Sequence, residues 1–430
     1  MLALAALLAT AALAGPHADA LRAVEAGYRP APRAGRPPPP PPPTDGPDVT
    51  VYGYWPYWGD DLDTITWDQL SHLAIFGVEL AADGSLEHTS RWTDVAAEAM
   101  EYGHRYGVKI DLCLIAFDPA VHAAVLPSPE RRARLVAALA EQVEAWGADG
   151  VNLDVEGLSS TYKEDLVALT RELRARVDEV YLATPETDWR GAFDYDELAA
   201  ASDGLFIMGY GYHWSGGSPG PLAPLVGGDP WSDYSLAWTV EDYRAHGATD
   251  DRIVLGLPLY GDDWPTTDTS VPGQATGEGS SVTWVGALAQ AEVTGRHWDS
   301  VTSTPYTFPS ATHQLWYDDT ESISAKVGFA VQQGLQGVGF WALTYEDGDP
   351  ALWSSVAALT AADPADTGDT AGPHDTDVPA DTDHPGDPPG YRGAGGPRCG
   401  CAVGTRGGSA ALLALLGLVS LRLRARRVAY

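Results

Sequence analysis

Gly147-Ala148-Asp149-Gly150-Val151-Asn152-Leu153-Asp154-Val155-Glu156-Gly157 is the stretch whose reading decides the fold of this chain. Val151, Leu153 and Val155 alternate with Asn152, Asp154 and Glu156, the period-two pattern of a short buried strand entered through a tight turn. Alternate side chains share a face, so the three polar groups stand in one row, with neighbours about 6.5–7 Å apart along the strand. A single carboxylate in a buried strand is ordinarily structural. Two carboxyl groups and an amide in one row are different, because crowding and burial raise the pKa of at least one acid and leave it a proton to donate near neutrality. Glycosidic bonds are cleaved by that chemistry. Asp149 has the opposite parity to Glu156 and is expected to serve the turn or a cap.

Outward from this strand the chain alternates between strand and helix from Val49 onward, which predicts a parallel sheet wrapped by helices. Strands are expected at 49–55, 72–79, 109–116, 150–156, 180–185, 204–210, 253–259 and 337–343, and helices at 91–106, 130–146, 160–178, 194–201, 238–247 and 321–334. Ser128-Pro129-Glu130 is a good start signal for the second of these helices. Eight strands in roughly 300 residues predict an α/β fold of the (β/α)8 TIM-barrel kind. An open doubly wound sheet is the alternative, but no Gly-rich nucleotide fingerprint follows the first strand. Residues 266–314, rich in Thr, Ser and Gly with β-like pieces at 281–285 and 297–301, read as a small α+β insertion lobe after strand 7, walling one side of the cleft.

Reactive groups of such barrels lie at the carboxyl ends of the strands, and here those ends are loaded with aromatic residues. The first ends in Tyr54-Trp55-Pro56-Tyr57-Trp58, the fifth near Trp189, and the sixth in Met208-Gly209-Tyr210-Gly211-Tyr212-His213-Trp214. Tyr260 and Trp264 close the seventh, and Trp341 and Tyr345 the eighth. One Trp alone is ordinarily core. Rings gathered at one end offer apolar faces to sugar C–H groups while their polar edges hydrogen-bond, so a sugar cleft is the economical reading.

The string Asp149-Gly-Val-Asn-Leu-Asp154-Val-Glu156 resembles the DGxDxDxE signature on the fourth strand of family 18 glycoside hydrolases, the chitinase-like barrels. It departs at Asn152, where most chitinases carry Asp. Met208-Gly209-Tyr210 resembles the start of the sixth-strand MxYD motif, with Gly211 in place of its Asp. The segment His213–Pro224 is similar to the branch with spore-germination and peptidoglycan-directed members, which also commonly carries Asn at the position of Asn152. Leu315–Asp319, Ser322 and Lys326 resemble the family's lead into the last helix. The resemblance covers about 49–360. It implies Glu156 as acid/base, Asp154 as its partner holding the substrate's acetamido N–H, and Tyr210 as hydrogen-bond donor to the acetamido carbonyl. Trp341 would floor the subsite where the bond breaks, with Asn152, Met208, Tyr54, Trp55, Trp214, Tyr260 and Trp264 as further substrate-binding candidates. The implied reaction is retaining and substrate-assisted, on chitin-like oligomers, peptidoglycan glycan or N-glycan cores. A non-catalytic surface lectin on the same barrel is the alternative.

At 430 residues and 44% hydrophobic content the chain can bury one large core, at 48–361. Its net charge of −33 disfavours nucleic acid and anionic membrane surfaces as partners. Residues 1–20 read as a signal peptide, with Ala18 and Ala20 suiting cleavage nearby, although the usual positive start is missing. Residues 21–47, with seven consecutive prolines at Pro37–Pro43, read as a linker. Residues 362–398, built of Asp, Thr, Pro and Gly, bury too little to fold and read as a stalk. At 399–430, Cys399 and Cys401 precede an apolar run and Arg422–Arg427. This arrangement resembles the sorting tails of myxobacterial surface proteins, with a plain membrane anchor as the alternative. Three cysteines make no disulfide framework, and Cys113 reads as a buried free thiol. No Cys/His spacing suggests a metal and no cofactor is expected. The sequence therefore predicts an exported, surface-held monomer.

Overall fold

The computed structural model describes residues 15–26 and 47–361. Eight strands form its centre: β1 (Thr50–Pro56), β2 (His72–Leu80), β3 (Lys109–Ala116), β4 (Gly150–Val155), β5 (Val180–Pro185), β6 (Gly204–Met208), β7 (Ile253–Pro258) and β8 (Gly337–Trp341). Each pairs in parallel with the next, and β8 returns to β1 through the register Thr50↔Gly337 to Gly53↔Phe340. The sheet is a closed (β/α)8 barrel. β4, β6, β7 and β8 are buried along their whole length, because one face meets the barrel interior and the other the surrounding helices.

The helix Pro129–Trp146 shows how the local sequence delivers β4. Ser128 Oγ accepts the Arg131 N–H at 3.3 Å, Pro129 occupies the first turn, and Gly147 at φ +71° ends the helix. Two residues on, the Asp149 carboxylate accepts the Ile110 N–H at 2.8 Å and meets His104 Nε2 at 2.9 Å, tying the turn to the start of β3. Asp149 thus fastens the strand entrance. A Cβ at Gly150 would lie 2.6 Å from both the Glu179 carbonyl oxygen and Asp111 Oδ1, so only glycine fits there.

Low in the barrel, the Tyr52 hydroxyl donates to Asp111 Oδ2 at 2.7 Å, and the Asn152 amide donates to the Tyr52 hydroxyl at 3.3 Å. His72 and Glu179 pair at 3.0 Å beneath them. Most buried polar atoms of this layer are bonded to one another, while Asp111 Oδ1 and Glu179 Oε2 have no partner among the described residues.

The insertion lobe is a five-stranded antiparallel sheet of Ser280–Thr283, Tyr260–Pro265, His313–Trp316, Thr304–Ser310 and His297–Asp299, in that spatial order, with the helix Trp284–Thr294. It begins at Tyr260 and ends at Trp316, wider than the expected 266–314, because strand β7 runs on into the lobe after a one-residue break. Trp264 and Trp316 pack with Leu222 and Trp231 in its own small core.

The expected helix 91–106 is two helices, Ser90–Thr93 and Ala96–Arg105. Pro119–Val125 and Pro350–Thr360 are further helices absent from the sequence reading. So is Pro16–Glu25, which crosses the expected end of a signal peptide at residue 20 and the expected start of a linker at 21. The periodicity at Ala18, Leu21 and Val24 is too short to register beside the apolar run before it. The proline run, the stalk, Cys399, Cys401 and the basic tail lie outside the described residues. No described helix is long and apolar enough to cross a membrane.

Gly150→Ala is expected to lower stability by about 1–3 kcal/mol through overpacking against the Glu179 backbone, read as an earlier unfolding midpoint in urea with unchanged far-ultraviolet circular dichroism of the folded state.

Candidate active site

Strand alternation turns Val151, Leu153 and Val155 towards the helices and Asn152 and Asp154 into the barrel, and it carries Glu156 to the mouth just beyond the last residue of β4. Asp154 is fully buried and Glu156 is 3% exposed. Met208 and Tyr210 arrive from the end of β6, and Trp341 from the end of β8.

Asp154, Tyr210 and Trp341 converge on one ring, the imidazole of His17 in the helix Pro16–Glu25. His17 Nδ1 lies 2.8 Å from Asp154 Oδ2 and Nε2 lies 2.5 Å from the Tyr210 hydroxyl. Trp341 stacks on the imidazole with centroids 3.9 Å apart and planes 28° apart. Tyr54 and Phe76 complete the walls at 4.9 and 5.9 Å. The backbone N–H groups of His17 and Ala18 donate to Glu156 Oε1 and Oε2, each at 3.0 Å. The first free N–H groups of the helix therefore find their acceptor in the Glu156 carboxyl group, since Gly15 offers no side-chain cap.

Burial pushes His17 down to about 4, against the opposing pull of Glu156, so the ring is neutral near pH 7. A neutral imidazole has one donor and one acceptor nitrogen, so one of Asp154 and Tyr210 accepts from the ring and the other donates to it. Burial and then the Asp154 charge push Glu156 up to about 8, against His17 and the Ala18 N–H. Burial holds Asp154 well above the ordinary carboxylate range, and its Oδ1 has no partner among the described residues. Ligand atoms of His17, Asp154 and Glu156 lie within 4.8 Å of one another. Hydrogen bonds already use both nitrogens of His17 and both oxygens of Glu156, so this cluster reads as a hydrogen-bonded constellation and not as a cation cage.

Beside the helix lies an open cleft of about 640 Å³, lined by Glu156, Met208, Tyr210, Trp214, Tyr260 and Trp341. Glu186 and Asp262 line it as well, each pushed up to about 7 by burial. Gly211, where the family motif has Asp, leaves a space that Glu186 fills: a Cβ at 211 would lie 2.9 Å from the Glu186 carboxyl carbon. Glu186 was legible as an acid at a strand end, but its approach to 211 depends on the neighbouring strands. His17 carried no signal of a site at all.

Three sequence candidates lie elsewhere. Asn152 is fully buried below the mouth, bonded to Tyr52 at 3.3 Å and to Cys113 Sγ at 3.5 Å, and makes no hydrogen bond to Asp154. Trp55 alternates with Tyr54 and so faces away from the barrel interior, its indole donating to the Asp60 carbonyl at 2.8 Å. Trp264 is sealed in the core of the insertion lobe. Tyr54 lies beneath the imidazole and borders the mouth without lining the open cleft.

The model of the Glycosyl hydrolases family 18 matches residues 50–346. A di-N-acetylchitobiase of Rattus norvegicus is 27% identical over 319 residues, 65% of this chain and 79% of its own length. A cortical fragment-lytic enzyme of Bacillus anthracis is 24% identical over 294 residues, 63% of this chain and 64% of its own length, so the chain spans just under two thirds of that relative. The group IV chitinase of Ostrinia furnacalis, solved with allosamidin, superimposes with a TM-score of 0.68 at 20% identity, covering 73% of this chain and 99% of that one.

Folding makes Glu156 hold a proton, between pH 4.5 and about 8, that the unfolded chain has released. Each pH unit in that window therefore removes up to about 1.4 kcal/mol from the wild type. Glu156→Gln escapes this loss, so its unfolding free energy should gain on the wild type as pH rises from 5 to 8, measured by urea unfolding at several pH values.

Proposed function

Starting from a chain that belongs to family 18 of the glycosyl hydrolases, we propose that it cleaves β-linked GlcNAc glycans with retention of configuration, using the substrate's own acetamido group as nucleophile. One observation carries this reading. The mouth of the barrel holds a flat five-membered ring against Trp341, with the Asp154 carboxyl group at one nitrogen and the Tyr210 hydroxyl at the other. A 2-acetamido oxygen that attacks the anomeric carbon closes a flat five-membered ring of the same kind, with an N–H on one side and an oxygen on the other.

In this mechanism the acetamido oxygen bonds to the anomeric carbon as the bond to the leaving oxygen breaks, and Glu156 gives its proton to that oxygen. Asp154 accepts the acetamido N–H and offsets the positive charge of the closed ring, while Tyr210 donates to its oxygen. Water then attacks the anomeric carbon, its proton returns to Glu156, and the ring reopens to the acetamide. Burial supports the first step by raising Glu156, to about 8 with the helix Pro16–Glu25 in place. Asn152 lies a layer lower and brings no charge to the pair: burial raises both acids, and Asp154 adds to the rise at Glu156.

The relatives' names point to di-N-acetylchitobiose and cortical fragments as what those proteins act on, and for this chain both chitin-like oligomers and peptidoglycan glycan are proposed. Surface anchoring is proposed from the residue pattern at the carboxy-terminal end, and export from the apolar start of the chain, with any cleavage upstream of Gly15 because the helix Pro16–Glu25 is part of the folded protein. A lectin-like protein would bind GlcNAc oligomers without releasing reducing ends, so turnover separates the two readings.

Glu156→Gln should lower the release of reducing ends from GlcNAc oligomers by about 10²–10⁴-fold while oligomer binding persists, measured by reducing-end assay and calorimetry. Equal turnover of variant and wild type would exclude the mechanism. Tyr210→Phe should cost about 10²-fold in kcat with little change in KM. The wild-type rate should fall on the alkaline side, where Glu156 loses its proton.

A further inference from the structure

We propose that the cleft is also a binding site for a peptide, this chain's own residues 15–26, which seats His17 in the sugar subsite and keeps the enzyme inactive until the segment is withdrawn. The effect on turnover rests on the glycosidase reading; the binding of the peptide does not.

The fit is specific at every step of the segment. Gly15 passes so close to Glu156 that a Cβ there would stand 2.8 Å from its carboxyl carbon. Pro16 sets the first helical turn and has no N–H to satisfy. The next two N–H groups, of His17 and Ala18, take both oxygens of Glu156, so the proposed acid has no oxygen turned towards a glycosidic bond. The His17 ring then occupies the place between Asp154, Tyr210 and Trp341 that the mechanism needs for the acetamido ring.

Beyond the ring, Ala18, Leu21 and Val24 form one buried face of the helix, and Leu21 and Val24 join the main hydrophobic core. Asp19 and Ala20 border the open part of the cleft. The helix therefore covers the subsite and the wall beside it. Residues 27–46 join it covalently to the barrel, so this tether makes the docking intramolecular. Modest intrinsic affinity is then enough to keep the site filled, and cutting the tether makes the same contact dissociable.

The test uses the full chain, its His17→Ala and Gly15→Val variants, and a form with a site for a sequence-specific protease placed between residues 27 and 46. With GlcNAc oligomers as substrate, both variants and the cut form are expected to exceed the wild-type kcat/KM by about tenfold or more, the arithmetic of a site 90% or more occupied. An acetylated peptide of residues 15–26, added to the His17→Ala protein, should inhibit competitively and restore the low rate. Nuclear magnetic resonance of the His17 ring reads docking without any turnover: facing Asp154, Glu156 and Tyr210 it should titrate near 4, against the usual 6.5 when free.

Equal kcat/KM for all forms with no inhibition by the peptide, or a His17 ring titrating near 6.5 in the wild type, overturns the proposal. So does a mature exported chain that begins after Ala20, shown by mass spectrometry. If no form turns over GlcNAc oligomers while His17 titrates near 4 and the peptide binds, the peptide site stands and the glycosidase reading fails.

Discussion

Everything in this protein's candidate site depends on where a carboxyl group stops being part of a strand. β4 ends at Val155, and Glu156 leaves the ladder with its side chain still on the interior parity and almost no exposure. There it meets the cost of a buried charge and keeps its proton at neutral pH. One residue earlier the acid would face the surrounding helices. The barrel supplies an address where an acid can be neutral, close to a second acid that shares the burial.

The rest of the architecture serves that address. Asp149 and Gly150 fix the start of β4 through the Ile110 N–H and the close approach of Glu179, which sets the register of the row above. Tyr52 links Asp111 and Asn152 through one hydroxyl below, which holds the layer beneath Asp154 together. The insertion lobe brings Tyr260 and Asp262 to the far side of the cleft on a sheet with its own aromatic core. Scaffold and site are separate problems here, and the chain solves them with different residues.

Occupation by the helix Pro16–Glu25 uses the same physics. A helix start has unsatisfied N–H groups and a buried carboxyl group has unsatisfied oxygens, and each answers the other's need. A neutral imidazole offers one donor and one acceptor in a plane, which matches an acid and a hydroxyl on opposite sides of an aromatic floor. The complementarity that would stabilise a closing acetamido ring also accepts a histidine.

Periodicity in the sequence by itself determined the eight barrel strands, most of the helices between them, the parity of Asp154 and Glu156, and the aromatic loading of the strand ends. Those features are local, since a strand's faces and a helix's stripe follow from spacing two or three to four residues apart. Only the tertiary structure decided which aromatics face the cleft: Trp55 and Trp264 sit at strand ends like Trp341, yet one turns outward and the other is sealed in the lobe. Likewise only folding placed Glu186 in the space beside Gly211 and His17 between Asp154 and Tyr210, across sequence separations of 25 and 137 residues for Gly211 and Asp154 respectively. Such pairings leave no period in the chain, because they are chosen by how strands and an N-terminal helix meet in space.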